Sequence, residues 1–502
     1  MSMVINTNTA SLVAQAAQAN TSKAMDTAME RLSTGQRINS ASDDAAGLAI
    51  STRMGANISG MNQAIRNALD AQSLIDTAEG AQTETMNLMQ RMRELAVQSA
   101  NDTNSQSDRE ALNDEIVQLR TEIDRIASTT TWAGQKLLDG TFVGKSFQIG
   151  SFAGETLRID QDAMTSAALG EYQYSTTGMA SAAHATGSNT MATTDITVLG
   201  KDGSAEATTS AGDSAKALAA AVNTDTASTG VKAIAHTALE FSYGAATAPA
   251  TTTTFTLNGG GTASSIVASV TDVTDLTALL TAINSKSGTT GVTAEFNGND
   301  KSKLILRESD GDNIVITNFT SQDSGSNHLT ATIKEQSNYE GTSFTTGVTL
   351  TSGGTDSTHY TGVAKFTSTQ SFSLSATAGS ATTAYFGDTD TAKASSLSKV
   401  STIDISTRAG AEAALSVLDT AMEMVADSRG VLGAVSNRID STVSNLTNIV
   451  TNTEASRSRI QDADFAAETS NLTKAQILSQ AATAMLAQAN ASKQSVLSLL
   501  QG

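Results

Sequence analysis

The chain has 502 residues, 31 basic against 50 acidic side chains for a formal net charge of −19, and 4% aromatic residues with a single Trp. That acidity argues against nucleic acid and anionic membranes as partners, while 39% hydrophobic residues suffice for an aliphatic, alanine-rich core over two to four domains. With no cysteine, disulfides and thiolate metal sites are excluded, and no apolar run approaches the ~20 residues of a membrane helix.

The opening stretch MSMVINTNTAS has neither a basic n-region nor an apolar h-region, so no secretory signal peptide is expected there. Around Thr7–Leu32 a helix is predicted, with Ile5, Leu12, Ala16 and Ala19 as an alanine-rich stripe that Met25, Met29 and Leu32 continue after a slip of one residue. The small, polar residues from Ser33 to Ile50 read as a connector, with Asp43 or Asp44 placed to cap the next helix. From Asn57 to Gln98 a second helix carries Ile58, Met61, Ile65, Ala68, Ile75, Met86, Met89 and Ala96, with polar Gln72, Glu79 and Gln82 on the same stripe. Ser107 to Glu110 reads as an S-x-x-E capping box for a third helix with Leu112, Ile116, Leu119, Ile123 and Ile126. Lys145–Ile149 and Thr156–Ile159 read as a β-hairpin.

Residues 176–400 are rich in Thr, Ser, Gly and Ala with short β-like runs, and they contain a repeat. Val222-Asn223, Gly230-Val231 and Ala233 recur as Ile283-Asn284, Gly291-Val292 and Ala294, which suggests two small α+β units at about 195–245 and 253–317. Helical pattern returns at Thr407. Ala411, Leu415, Leu418, Met422, Val425, Leu432, Ile439, Val443, Leu446 and Val450 hold a heptad that Arg429 and Ser436 interrupt, over a helix roughly 60 Å long at 1.5 Å per residue.

The final helix carries Ala475, Leu478, Ala482, Met485, Ala489, Ser492, Val496 and Leu499 at alternating spacings of three and four. Half of that seam is alanine or serine. A buried leucine contributes about 1.5–3 kcal/mol and an extra methyl only about 0.8, so a single copy packs weakly and the seam reads as an assembly element. Its length matches the first helix, which predicts that the two ends lie side by side. The expected fold is α+β: a nested coiled-coil rod of long helices from both chain ends, with the hairpin, and a β-rich outer insertion. Residues 1–45 plus 457–502 form the terminal domain, 46–175 plus 405–456 the helical rod, and 176–400 the outer domains. Such a subunit favours heterologous contacts that open into a helical filament.

Catalytic signatures fail one by one. Asp139 to Ser146 resembles a phosphate loop, but Asp139 stands where its first glycine belongs. His184, His236, His328 and His359 stand without a second ligand at helical spacing, and Glu308, Asp310 and Asp312 around Gly311 lack the calcium-loop order and read as a solvated turn. No catalytic, metal or cofactor site is expected.

Several stretches resemble bacterial flagellin: Val4 to Asn8, Arg31 to Gly35, Ile38 to Ala41, Asp43 to Ile50, Arg93 to Ala100, Lys136 to Gly140, Phe147 to Gly150, Ser458 to Asp464 and Ser495 to Leu500. The resemblance covers about residues 1–160 and 405–502. It implies an extracellular flagellar filament subunit, exported unfolded through the flagellar type III apparatus and polymerised under a cap protein, with export chaperone and hook-junction proteins as further partners. It also implies that Gln90, Arg91, Leu95 and Glu115 meet the host Toll-like receptor for flagellin; with Glu94, the same segment reads structurally as a helix face that contacts neighbouring subunits. The alternative within the neighbourhood is the hook–filament junction protein. Two departures stand out: Trp132-Ala133 where the family usually has Phe-Asn, read as a local packing change, and Ser492-Lys493 in place of an apolar residue and proline.

Overall fold

The computed structural model describes residues 7–176, 179–183, 194–244, 251–298, 300–322, 330–336, 339, 343–376 and 392–500. They form long helices near both chain ends and a β-rich centre. The chain divides into two compact units: Met1–Asp76 with Gly144–Asp160 and Leu432–Gly502, and Thr77–Val143 with Gln161–Val431.

In the first unit, helix α1 (Thr9–Thr34) starts where the Asn8 side chain accepts the Ser11 N–H, and it ends at Gly35 in the left-handed region. Asp44 accepts the Gly47 N–H at 2.9 Å at the start of α2 (Ala45–Ser99), so of the two aspartates it is the cap. Asp43 instead holds the connector, accepting the Asn39 and Ser40 N–H groups; those bonds, Ser40's first, keep its carboxyl below the usual range. Ile58, Met61, Ala64, Leu446 and Val450 form this unit's buried cluster. The hairpin β3 (Lys145–Gln148) and β4 (Thr156–Ile159) is tied to α2 by Asn67 Nδ2 donating to the Gln148 carbonyl at 2.9 Å.

The second unit contains the rest of α2, then α3 (Gln106–Thr129), whose capping box is Ser105 with Asp108. Ser107, to which the S-x-x-E spacing points, lies inside the first turn, and Ser105 two residues earlier is the residue that caps. The short strands β1 (Thr131–Trp132) and β2 (Gln135–Lys136) close on Ala133 and Gly134, both at positive φ, 48° and 79°. This two-residue turn suits Asn-Gly, so alanine there is a backbone feature rather than the packing change expected.

The central strands build three sheets. β9 (Lys232–Tyr243) is the longest strand among the described residues. It pairs with β13 (Asp300–Glu308), β15 (Thr330–Gln336) and β18 (Val363–Ser368), and β18 pairs onward with β5 (Gly170–Ser175). β10 (Thr251–Gly259) lies between β11 (Ser264–Val270) and β14 (Ile314–Gln322), and β7 (Thr194–Leu199) pairs with β8 (Ser204–Thr209). One core gathers Phe241, Phe255, Phe319, Leu279 and Ile283, and a second Ile196, Leu218, Val222 and Phe366.

The repeated residues hold the same local geometry twice. At the end of α4 (Ala215–Thr224), Asn223 donates to the Ala233 carbonyl at 2.7 Å and accepts its N–H at 2.8 Å. At the end of α6 (Thr277–Asn284), Asn284 makes the same two bonds to Ala294, both at 2.8 Å. Gly230 and Gly291 each sit in the left-handed region, and Val231 and Val292 follow as fully buried side chains. The amide clamps a helix end onto the strand that follows, and the glycine makes the turn between them.

The C-terminal helices are α8 (Arg408–Gln461) and α9 (Phe465–Leu500). Within the second unit α8 buries Ala411, Leu418, Ala421 and Val425. Among the described residues no helix is long and apolar enough to cross a membrane.

Candidate assembly and receptor-contact surfaces

In the first unit α1 and α9 run antiparallel. Asn8 Nδ2 donates to the Ala489 carbonyl at 3.4 Å, Gln18 Nε2 to Ser479 Oγ at 3.1 Å, and Arg31 meets Glu468 at 3.5 Å. The chain segments beside them are clasped: the Arg37 N–H donates to the Gln461 carbonyl at 2.7 Å and the Ala463 N–H to the Gly35 carbonyl at 2.9 Å.

The face α9 turns toward α1 carries Leu472, Ala475, Ser479, Ala482, Leu486 and Ala489, all buried or half-buried. Of the residues assigned to the assembly seam, Ala482 and Ala489 lie on this inner face. Leu12, Ala16, Ala19, Leu478 and Met485 are exposed. Leu12 is 55%, Leu478 47% and Met485 64% exposed, and Val13 at 70% and Ile477 at 61% are exposed as well. Val13 and Ile477 escaped the heptad reading because each stands next to a stripe residue, Leu12 and Leu478, that the period took first. Ile5 lies outside the described residues, and Val496 and Leu499 are described only as backbone within α9. Isolated exposed apolar side chains are ordinary, but a run of large ones on two adjoining helices marks an interaction surface.

The second surface lies on α2 and α3. Arg91 bonds Glu115 at 2.9 Å and, one helical turn away on its own helix, Glu94 at 3.1 Å. The hydrogen bonds to Glu115, then Glu94, push the guanidinium above its usual value. Gln90 is exposed beside them. Leu95 is not: it is 1% exposed and packs inside, so it holds this face in place without presenting itself. Arg93, two residues on from Arg91, reaches Asp419 on α8 at 2.5 Å. This is an exposed, charged helix face with planar guanidinium donors, suited to recognition by another protein and to no bond-making chemistry.

The acidic triplet behaves as a turn. Glu308 accepts the Asp310 and Asp312 N–H groups, and Lys216 Nζ meets Asp312 at 2.8 Å and Asp310 at 3.3 Å, so an ammonium stands against the carboxylates. Their oxygens lie close enough to meet one cation, but Lys216 already supplies the charge. His184 and His328 lie outside the described residues.

Comparison with known proteins completes the picture. The bacterial flagellin N-terminal helical region matches residues 5–143, the C-terminal helical region 415–500, and the flagellin hook IN motif 195–240 and 254–310. The B-type flagellin of Pseudomonas aeruginosa is 40% identical over 100% of both chains. Flagellin of Salmonella muenchen is 36% and flagellin D of Vibrio cholerae 33% identical, again over 100% of each. A solved structure of FliC from Burkholderia pseudomallei covers 73% of this chain and 99% of its own at 19% identity, with a TM-score of 0.29.

Proposed function

This chain belongs to the bacterial flagellin family, a structural subunit of the extracellular flagellar filament and not an enzyme, and on that premise we propose how its surfaces divide the work. The outward strip of Leu12, Val13, Ile477, Leu478 and Met485 is the face on which neighbouring copies close the terminal seam. The observation that supports this is the exposure of large apolar side chains on helices whose mutual face is mostly Ala, Ser and Gln. Each leucine or methionine covered by a neighbour contributes roughly 1.5–3 kcal/mol, which is where the missing stability of an alanine-rich pair is recovered.

In this reading residues 1–45 plus 457–502 line the filament interior, 46–175 plus 405–456 form the next shell, and 176–400 face outward. Export through the flagellar type III apparatus is helped by a chain without cysteine and with one proline. Export chaperone, cap and hook-junction proteins are its transit partners. The face of Gln90, Arg91, Glu94 and Glu115 contacts a neighbouring subunit in the filament and the host Toll-like receptor for flagellin when monomeric. A junction-protein role has less behind it, because the relatives matching the whole chain are named flagellins.

Leu478→Asp combined with Met485→Asp tests the assembly face. We expect a monomer with unchanged helical circular dichroism that forms no filaments by negative-stain microscopy. Filaments of ordinary length from the double variant would refute the assignment. For the receptor face, Arg91→Ala should lower signalling by purified monomer in receptor-bearing reporter cells by at least about tenfold, the loss of roughly 1.4 kcal/mol.

A further inference from the structure

Near the start of α8, against the sheet built on β9, lies a cavity of about 320 Å³. That is within the range of small-molecule sites, roughly 300–1,000 Å³. The sheet side presents Ile234, His236, Arg307 and Lys365, with Tyr339 beside them, and α8 presents Glu412 and Ser416.

Among the described residues of this wall, each ionised group already has a counter-charge. Lys365 bonds Glu171 at 2.6 Å with both side chains buried, Arg307 bonds Glu295 at 2.5 Å, and Glu412 bonds Arg408 at 3.0 Å. Ser416 Oγ donates to the second Glu171 oxygen at 2.6 Å. His236 is held neutral by its neighbours. The Gln336 carbonyl oxygen accepts the Ala238 N–H at 2.9 Å, which fixes the amide so that its nitrogen donates to His236 Nε2 at 3.1 Å. Nε2 is therefore an acceptor and the ring proton sits on Nδ1. The rings of His236 and Tyr339 meet edge-on with centroids 4.6 Å apart, and Lys365 Nζ lies 5.7 Å from the Tyr339 centroid.

The cavity wall is thus rich in donors and acceptors, carries two aromatic rings, and is charge-balanced. A charged ligand entering it would add an uncompensated charge to a partly dehydrated site, which is costly. A neutral molecule with several hydroxyls meets no such penalty and finds partners of both kinds, while its C–H face finds rings to pack on. We propose that this cavity is a binding site for a single neutral sugar residue, with Tyr339 as its apolar platform and Glu412 and Arg307 as hydrogen-bonding partners.

The test is saturation-transfer NMR titration of the full-length protein, kept monomeric, with D-glucose, D-galactose, N-acetyl-D-glucosamine and D-glucuronate. The protein is expected to bind at least one neutral sugar with a Kd of about 1–10 mM, the range for a ligand of this size, and glucuronate at least tenfold more weakly. Tyr339→Ala should raise the Kd at least tenfold. Glu412→Ala, at an exposed helix position that folding does not need, should do so as well. No saturable neutral sugar below about 50 mM, glucuronate binding as tightly, or binding that survives both substitutions would each overturn the proposal.

Discussion

Gln72 on α2 donates through Nε2 to Ser436 Oγ on α8 at 2.6 Å, joining two polar residues that interrupt otherwise apolar helix stripes. The same matching occurs within the second unit. Arg429 bonds Glu79 at 3.0 Å, and the fully buried Gln82 donates to Ser428 Oγ at 3.1 Å and to Gln161 Oε1 at 3.3 Å. Each interruption on one helix is answered on the other, so sliding either helix by one turn would bury a polar group against a methyl. Such pairs specify alignment more than they add stability. Ser436→Ala should cost about 1 kcal/mol in chemical denaturation, and Gln72→Leu with Ser436→Ala should recover most of it. Additive losses in the double-mutant cycle would show that the two side chains are not coupled.

The Ala133-Gly134 turn holds a non-glycine residue at φ 48°. An L-residue pays roughly 1 kcal/mol for that conformation, and asparagine tolerates it better. Ala133 is exposed, so no packing opposes a change. Ala133→Asn should stabilise the monomer by about 0.5–1 kcal/mol, read as a rise in melting temperature; an unchanged or lower value would remove the turn argument.

The asparagine clamps of the two repeats each replace two water contacts with two backbone bonds. Asn223→Ala and Asn284→Ala should each cost about 1–2 kcal/mol. Amide exchange should then accelerate around Val231–Ala233 in the first variant and around Val292–Ala294 in the second, without crossing over. Uniform acceleration of both repeats in either variant would argue against local clamps.

Burial, and then the charge of Arg307, hold the His236 imidazole down at about 4 from its usual 6.5. The unfolded chain takes up this proton as pH falls through 6.5, while the folded chain refuses it until near 4. Stability is therefore lost between those values and levels off below, by up to about 3 kcal/mol from this group. Urea midpoints measured from pH 7 to 4 should fall less steeply for His236→Gln than for the parent chain. Identical slopes would place the imidazole in an ordinary environment.

Much of the fold was legible because long helices advertise themselves. The stripe from Ala411 to Val450 has large aliphatics at a constant period, and α8 spans it. The hairpin at 145–159 was legible from alternation and its glycines. What sequence did not give follows from chemistry that repeats poorly. Along α1 and α9 nearly every position is Ala, Ser, Gln or Thr, so a methyl stripe can be drawn on more than one face. Only the packing of the two helices distinguishes Ala475, which is buried, from Leu478, which is not. Leu95 illustrates the reverse: a surface motif need not expose every member. The sheet order was out of reach because its pairings are distant in sequence, as where β5 meets β18. The cavity of His236, Arg307, Tyr339 and Lys365 assembles from four such strands and loops, and none of them carries a local signature.

The central claim is that the terminal helices are completed by neighbouring copies. Hydrogen–deuterium exchange on residues 12–19 and 475–492 tests it most directly, comparing dilute monomer with assembled filament. Exchange close to that of an unstructured chain in the monomer, with strong protection in the filament, is the expected result. Equal protection of those amides in both states would contradict the account.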